Sequence, residues 1–259
     1  MAIITISRGS HSMGQAVAEH VAERLGYACL SRDVLLEASE QFNVPELKLQ
    51  QAITDAPSIL ERLTHGRQRY VAYIQSALTR RLRDDDVVYH GLAGHLLLKP
   101  VTHVLKVRII ATLELRAAVV ARRETIGPQA AAAWIAKVDR ERQRWTRSLY
   151  GVDPEDPHLY DLMVNIPAYS VEDAAELVCR SVEMEQFATT DESRQEMRDL
   201  ALACEVKAAL VEDHPDAMVT SRYGNVVVYA GGDRAARRVK ESTDHRLGDI
   251  EGINNIEIH

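Results

Sequence analysis

Cysteine is scarce in this chain, with three in 259 residues. Cys29, Cys179 and Cys204 lie far apart and lack the paired spacing of a zinc site or a disulfide framework. They are expected to be small buried hydrophobes. Long apolar runs are absent too. The longest candidates, residues 117–121 and 130–136, are Ala/Val stretches at helical spacing, well short of the ~18 residues that a membrane span needs. The chain opens directly on Ala2-Ile3-Ile4-Thr5-Ile6, with no basic n-region and no small-residue cleavage site, so a cytoplasmic address is expected. Basic residues are the minority, 31 against 38 acidic for a net charge of −7, which argues against non-specific nucleic-acid binding. What is present is 46% apolar residues, ample for a core. The length suits one large domain, or a large one with a small companion.

The basic residues that do occur are unevenly spread. Arg122, Arg123, Lys137, Arg140, Arg142, Arg144 and Arg147 face only Glu124, Asp139 and Glu141 over the same stretch. This local positive patch is either a solvated helix face or a site for a polyanion such as the phosphates of a nucleotide.

Residues 2–7 read as a short β-branched strand ended by Arg8-Gly9-Ser10. Met13, Val17, Val21 and Leu25 then recur at helical spacing, with Gly26 as a stop. A strand over 27–30, a helix after Arg32-Asp33 and a long helix over 55–82 follow. Further strands are expected at 87–90, 103–111 and 162–165, with helices at 112–124, 128–149 and 171–187. Strands alternating with helices in this way predict a parallel sheet covered on both faces. Residues 188–193 are polar and are expected to form a linker. Beyond it, a helix (194–213), a Tyr223-Gly224-Asn225 turn between strands 217–222 and 226–230, a helix (233–247) and a closing strand (253–258) predict a small α+β module.

Gly9-Ser10-His11-Ser12-Met13-Gly14-Gln15-Ala16 has the glycine spacing of the phosphate-binding loop G-x-x-x-x-G-K-[ST], between a strand and a helix as that loop must be. There, backbone N–H groups at a helix start surround phosphate oxygens. Gln15 replaces the lysine and Ala16 the hydroxyl that binds magnesium. A tight strand-to-helix connection without a ligand is the alternative.

Ile4-Thr5-Ile6-Ser7-Arg8, the glycine loop, Leu25-Gly26-Tyr27 and Ser31-Arg32-Asp33-Val34-Leu35 resemble the amino-terminal part of the cytidylate-kinase-like family. Val87 to Ala93, Val107 to Ala111 with Arg116, Val138-Asp139-Arg140-Glu141-Arg142, and Asp156-Pro157 through Tyr160-Asp161-Leu162 to Asn165 match its later segments in order and spacing. The resemblance spans roughly residues 1–187. It implies a three-layer α/β/α P-loop kinase with a parallel sheet and an arginine-bearing helical lid, moving a phosphoryl group from ATP to a nucleoside monophosphate such as CMP. It also implies ATP as cofactor and raises Mg2+ as a second. Residues 9–16 would cradle the donor phosphates, and Asp33, Gly91 and Arg116 would line the acceptor side. Arg8, Arg140 and Arg142, with Arg122 and Arg123, would supply guanidinium groups in place of the missing lysine.

Each assignment has a structural alternative. Arg8 would otherwise pair with Asp33 or a neighbour. Arg140 and Arg144 lie one turn apart and can share an exposed, salt-bridged face with Lys137. Asp33 would cap the helix that follows. His11 would be an exposed loop residue, His90 a structural histidine, and Asp161 and Asn165 structural supports. Leu92 stands where the family has an arginine for the acceptor phosphate, and the strand ending at Tyr89-His90 offers magnesium no carboxylate. These departures support a second expectation, a pseudokinase that senses nucleotide.

Residues 194–259 are similar to a BON domain, on glycine and valine placement around Met218-Val219, Tyr223 to Gly231 and Gly252 to Ile258. The resemblance implies a regulatory or oligomerising module, with membrane contact the lesser expectation. The partners expected are therefore nucleotides and a possible second copy of the chain.

Overall fold

The structure is a computed structural model that describes residues 2–54, 66–91 and 93–259. Its elements begin with β1 (Ile3–Arg8), α1 (Gly14–Leu25), β2 (Ala28–Leu30), α2 (Asp33–Phe42), α3 (Glu46–Thr54), α4 (Gly66–Leu82), β3 (Val87–Tyr89), α5 (Gly94–Leu97) and β4 (Val104–Ile110). They continue with α6 (Leu113–Glu124), α7 (Pro128–Tyr150), β5 (Leu162–Asn165), α8 (Val171–Val182), α9 (Asp191–Leu210), β6 (Met218–Arg222), β7 (Asn225–Tyr229), α10 (Asp233–Arg246) and β8 (Asn255–Ile258). The apolar positions expected at Ile59, Leu60 and Leu63 lie outside the described residues, as does Leu92.

The chain divides into two compact units. One takes in the described residues within 1–32, 54–56 and 85–189, the other those within 33–53, 57–84 and 190–259. Residues 33–53 and 66–84, read from the sequence as part of the N-terminal domain, thus group with the C-terminal segment. The expected linker is shorter than 188–193. Thr190 caps α9, accepting from the Ser193 N–H at 3.1 Å, while Ser193 Oγ accepts from the Thr190 N–H at 2.9 Å. Asp191 to Ser193 are therefore the first turn of a helix.

The first unit holds a five-stranded, all-parallel sheet in the order β2-β3-β1-β4-β5. Strand alternation sends Ile4, Ile6, Val88, Leu105, Val107, Ile109 and Val164 to one face, where they meet Val17, Ala18 and Val21 of α1 and Ala174, Ala175 and Val178 of α8. These residues are fully or nearly fully buried. The capping box at Ser170 and Asp173 starts α8, and Gly26 at φ +69° closes α1. The opposite face carries Thr5, Ser7 and Arg108, so the sheet is not apolar on both sides. Arg108 is buried there, donating to the Tyr160 hydroxyl at 3.0 Å with its guanidinium 5.3 Å from the Tyr160 ring centre. His95 packs tilted at 32° against the same ring at 4.7 Å, and burial, then Arg108 and Lys106, push its pKa down to about 3.

A small Ala-rich seam of Ala117, Val120, Ala131 and Ile135 joins α6 to α7. In the second unit, β6 and β7 form an antiparallel hairpin and β8 pairs parallel to β7. The Gly-Asn turn falls as the sequence predicts. Tyr223 and Gly224 both have positive φ, and a Cβ at Gly224 would meet the Gly252 carbonyl at 2.6 Å. The buried Asp199 carboxylate fixes the turn by accepting from the Tyr223 N–H at 2.9 Å and the Gly224 N–H at 3.2 Å. No helix among the described residues is long and apolar enough to cross a membrane.

Candidate functional site

The loop between β1 and α1 leaves the carboxyl end of the central strand, where a parallel sheet presents its ligand crevice. Its backbone is unusual. His11 and Met13 have φ of 58° and 63°, a left-handed conformation that few non-glycine residues adopt and that is strained by about 1–3 kcal/mol per residue. Alternating left- and right-handed residues swing successive amides toward a common centre. The N–H groups of His11, Met13, Gly14, Gln15 and Ala16 have no acceptor among the described residues. They are available to an anion at the start of α1.

The loop is fixed from below and from one side. Gly9 donates to the Ile109 carbonyl at 3.4 Å. The buried Ser12 hydroxyl contacts the carbonyls of Gly9 at 3.0 Å and Ile109 at 3.1 Å. That corrects its expected role as a phosphate donor, since the side chain is turned into the base of the loop. Ser10 is also engaged. Its N–H, at 3.2 Å, and its hydroxyl, at 2.8 Å, both donate to Asp139 Oδ1. Arg116 Nη1 donates to Asp139 Oδ2 at 2.6 Å and to the Ser10 carbonyl at 3.3 Å. Arg116, expected on the acceptor side, therefore braces the loop against α7. Burial alone would raise the Asp139 carboxyl, but the hydrogen bonds from Arg116 and Ser10 overcome it and hold the pKa below its ordinary value.

A cavity of about 390 Å³ opens beside the loop, lined by Ser10 to Ala16 and by Arg8, Glu19, Val119, Arg123, Trp134, Val138 and Arg142. Arg8 reaches it from the end of β1. Its Nη1 donates to the His90 carbonyl at 2.6 Å and to His90 Nδ1 at 2.7 Å, leaving Nε and Nη2 without a partner among the described residues. His90 is thus the acceptor that orients Arg8, and Arg8 pairs with it rather than with Asp33. Arg8 also explains the second loop glycine. A Cβ on Gly14 would lie 2.8 Å from Arg8 Cβ and 2.9 Å from Cδ. Arg142 donates no side-chain hydrogen bond among the described residues, and burial, then Arg116, hold its pKa below the ordinary value against the opposing effect of Asp139. Burial, then Arg142, likewise lowers the pKa of Arg8, and burial, then Arg123 and Arg142, lowers that of His11.

The remaining sequence candidates fall elsewhere. Arg140 is exposed and does not line the cavity. Trp134, Val138 and Arg142 are spaced four apart on one face of α7, and Arg140, two residues from both Val138 and Arg142, points to the opposite side with Lys137 and Arg144. Gln15 donates to Glu19 Oε1 at 2.8 Å along its own helix instead of replacing the lysine. Gly91 has a packing role. A Cβ there would overlap the buried Tyr89 ring, which also lies against Gly94. Asp33 is the exposed first residue of α2, in the other unit. Asp161 accepts from the Lys106 N–H at 2.8 Å and ties the β4 and β5 edges, which is a structural role. Two residues that the sequence did not single out, Asp139 and Trp134, are part of the site. The sequence offered Asp139 only as one member of the family-like segment Val138 to Arg142, and Trp134 only as a position on the helix expected at 128–149.

The model of the cytidylate kinase-like family matches residues 3–168, a span containing all five parallel strands, the loop and both helices that wall the cavity. The chain belongs to the cytidylate kinase-like family. Among curated proteins it is similar to the cytidylate kinase of Methanopyrus kandleri, 26% identical over 183 residues that make up 68% of this chain and 88% of that one. Among solved structures, an uncharacterized protein from Eubacterium ventriosum is 16% identical and covers 71% of this chain and 100% of its own, with a TM-score of 0.54; this likeness concerns the fold.

For a member of the cytidylate kinase-like family, ATP and magnesium are the implied ligands. The free amides and the guanidinium groups of Arg8, Arg123 and Arg142 fit a polyphosphate. A magnesium site fits poorly. Ala16 stands at the hydroxyl position, Ser12 is turned away, Asp139 is held by Ser10 and Arg116, and β3 ends without a carboxylate. No cluster of three metal-ligating side chains occurs among the described residues.

Proposed function

We propose that this protein is a phosphotransferase of the nucleoside monophosphate kinase type, with a pyrimidine monophosphate such as CMP as acceptor. The observation that carries the reading is the cavity itself, where unpaired loop amides and the unengaged donors of Arg8 and Arg142 converge. The resemblance to a cytidylate kinase supports the choice of acceptor. ATP, when bound, supplies the phosphoryl group. Residues 11–16 orient its phosphates through the amides of His11, Met13, Gly14, Gln15 and Ala16, while Arg8, Arg123 and Arg142 neutralise the charge that spreads over the equatorial oxygens as the acceptor oxygen bonds to phosphorus and the bridging oxygen leaves. Asp139 and Arg116 act on the loop, keeping Ser10 and α7 in register.

A coupled assay of ADP release with ATP and CMP, UMP, AMP or dCMP tests this. Turnover with at least one acceptor is expected, reduced by Arg142→Ala; no turnover with any acceptor removes the enzymatic reading. Gln15, paired with Glu19 in place of a lysine, and the poor fit to a metal among the described residues favour a second reading, a nucleotide sensor without catalysis. Saturating nucleotide at 100 times its dissociation constant would stabilise either protein by roughly 2.7 kcal/mol, so a thermal shift without turnover selects the sensor. The C-terminal segment, residues 194–259, keeps its BON-like reading as a regulatory or oligomerising module, which size-exclusion chromatography of the chain with and without nucleotide addresses.

A further inference from the structure

The phosphate end of the cavity is polar, but its other wall is not. Trp134 is 44% exposed and lines the cavity with Val119 and Val138, while Met13, 39% exposed, adds a flexible apolar edge from the loop. The Trp134 and His11 rings lie 5.4 Å apart at 48°, a tilted aromatic contact that holds the indole at the mouth of the cradle. Burial, then Arg123 and Arg142, keep His11 below its ordinary pKa, so it adds ring surface rather than charge at neutral pH. An inorganic anion would gain nothing from this wall. A ligand with an anionic end and a flat aromatic end would use both.

We propose that Trp134, flanked by His11, is the shelf on which the base of a nucleoside polyphosphate stacks, so that the site prefers base-bearing polyphosphates to inorganic ones. The inference rests on the reading of residues 9–16 as a phosphate cradle. Because every nucleobase has a π face, the shelf selects for the presence of a base and is tolerant of which base. Indole stacking is removed by alanine and largely kept by phenylalanine.

Calorimetric titration of the full chain and its Trp134→Ala and Trp134→Phe variants with ATP and with inorganic triphosphate tests this, alongside tryptophan emission. Trp145, at 2% exposure, gives a constant background. ATP should quench the exposed indole of the native protein. Trp134→Ala should weaken ATP by about 5- to 100-fold and leave triphosphate within about twofold, with Trp134→Phe recovering most of the loss. Equal weakening of both ligands by Trp134→Ala, or ATP binding without quenching, overturns the shelf and leaves the cradle standing. Failure of both ligands to bind the native chain removes the cradle and this inference with it.

Discussion

Asp139→Ala removes the carboxylate that joins α7 to the loop. It leaves the Arg116 guanidinium, whose side chain is 13% exposed, without its counter-ion and the Ser10 N–H without an acceptor. Breaking a fully buried pair destabilises by about 3–5 kcal/mol, and an exposed pair is worth about 0–1 kcal/mol. With Asp139 27% exposed, the effect belongs between these limits, at about 2–3 kcal/mol with the orphaned amide included. In a chain of this size that corresponds to a fall in Tm of about 5–10 °C. Urea denaturation at pH 7 checks the magnitude. Asp139→Asn, which keeps an oxygen for Ser10, should lose less than Asp139→Ala. Adding Arg116→Met to Asp139→Ala should add little further loss, because the stranded cation is then gone. A loss below about 0.5 kcal/mol, or strict additivity in the double variant, would refute the view that this pair braces the loop.

Other predictions follow from the same geometry. Because the Asp139 pKa is depressed in the folded protein, its contribution is fully present above the unfolded value of about 3.9 and is lost as pH falls through the folded value below it. The stability gap between native protein and Asp139→Asn should thus be flat from pH 8 to about 5 and narrow below about 4. Gly14→Ala drives a methyl into Arg8 and should destabilise by about 1–3 kcal/mol while weakening nucleotide binding in calorimetry. Arg142→Ala should lower turnover by about 10²–10³, whereas Arg140→Ala, on the outer face of α7, should lower it less than about threefold; the reverse order in the coupled assay would restore the sequence-based assignment. Gly91→Ala should lower Tm, through its overlap with the Tyr89 ring, without changing the affinity for ATP.

Local patterning determined much of this protein. The β-branched run at residues 3–6, the glycine spacing of residues 9–14, the helically spaced apolar positions of α1 and the Tyr223-Gly224 turn act over a few residues, through backbone sterics and periodicity. Each of these elements forms where the sequence places it. The tertiary structure alone decided which chemistry-bearing side chains face the loop. Arg140 and Arg142 are equivalent in composition, yet a two-residue step on a helix separates them by more than half a turn, and the packing of α7 on α6 turns Arg142 inward. Asp139 reads as one acid in a basic stretch until the fold sets it against Ser10, 129 residues away. Arg8 and His90 meet only because their strands are neighbours in the parallel sheet. Residues 33–53 and 66–84 likewise group with the C-terminal segment through helix packing, in which α4 lies against α9. Such pairings depend on which apolar faces find one another across long sequence separations, which a local pattern does not encode.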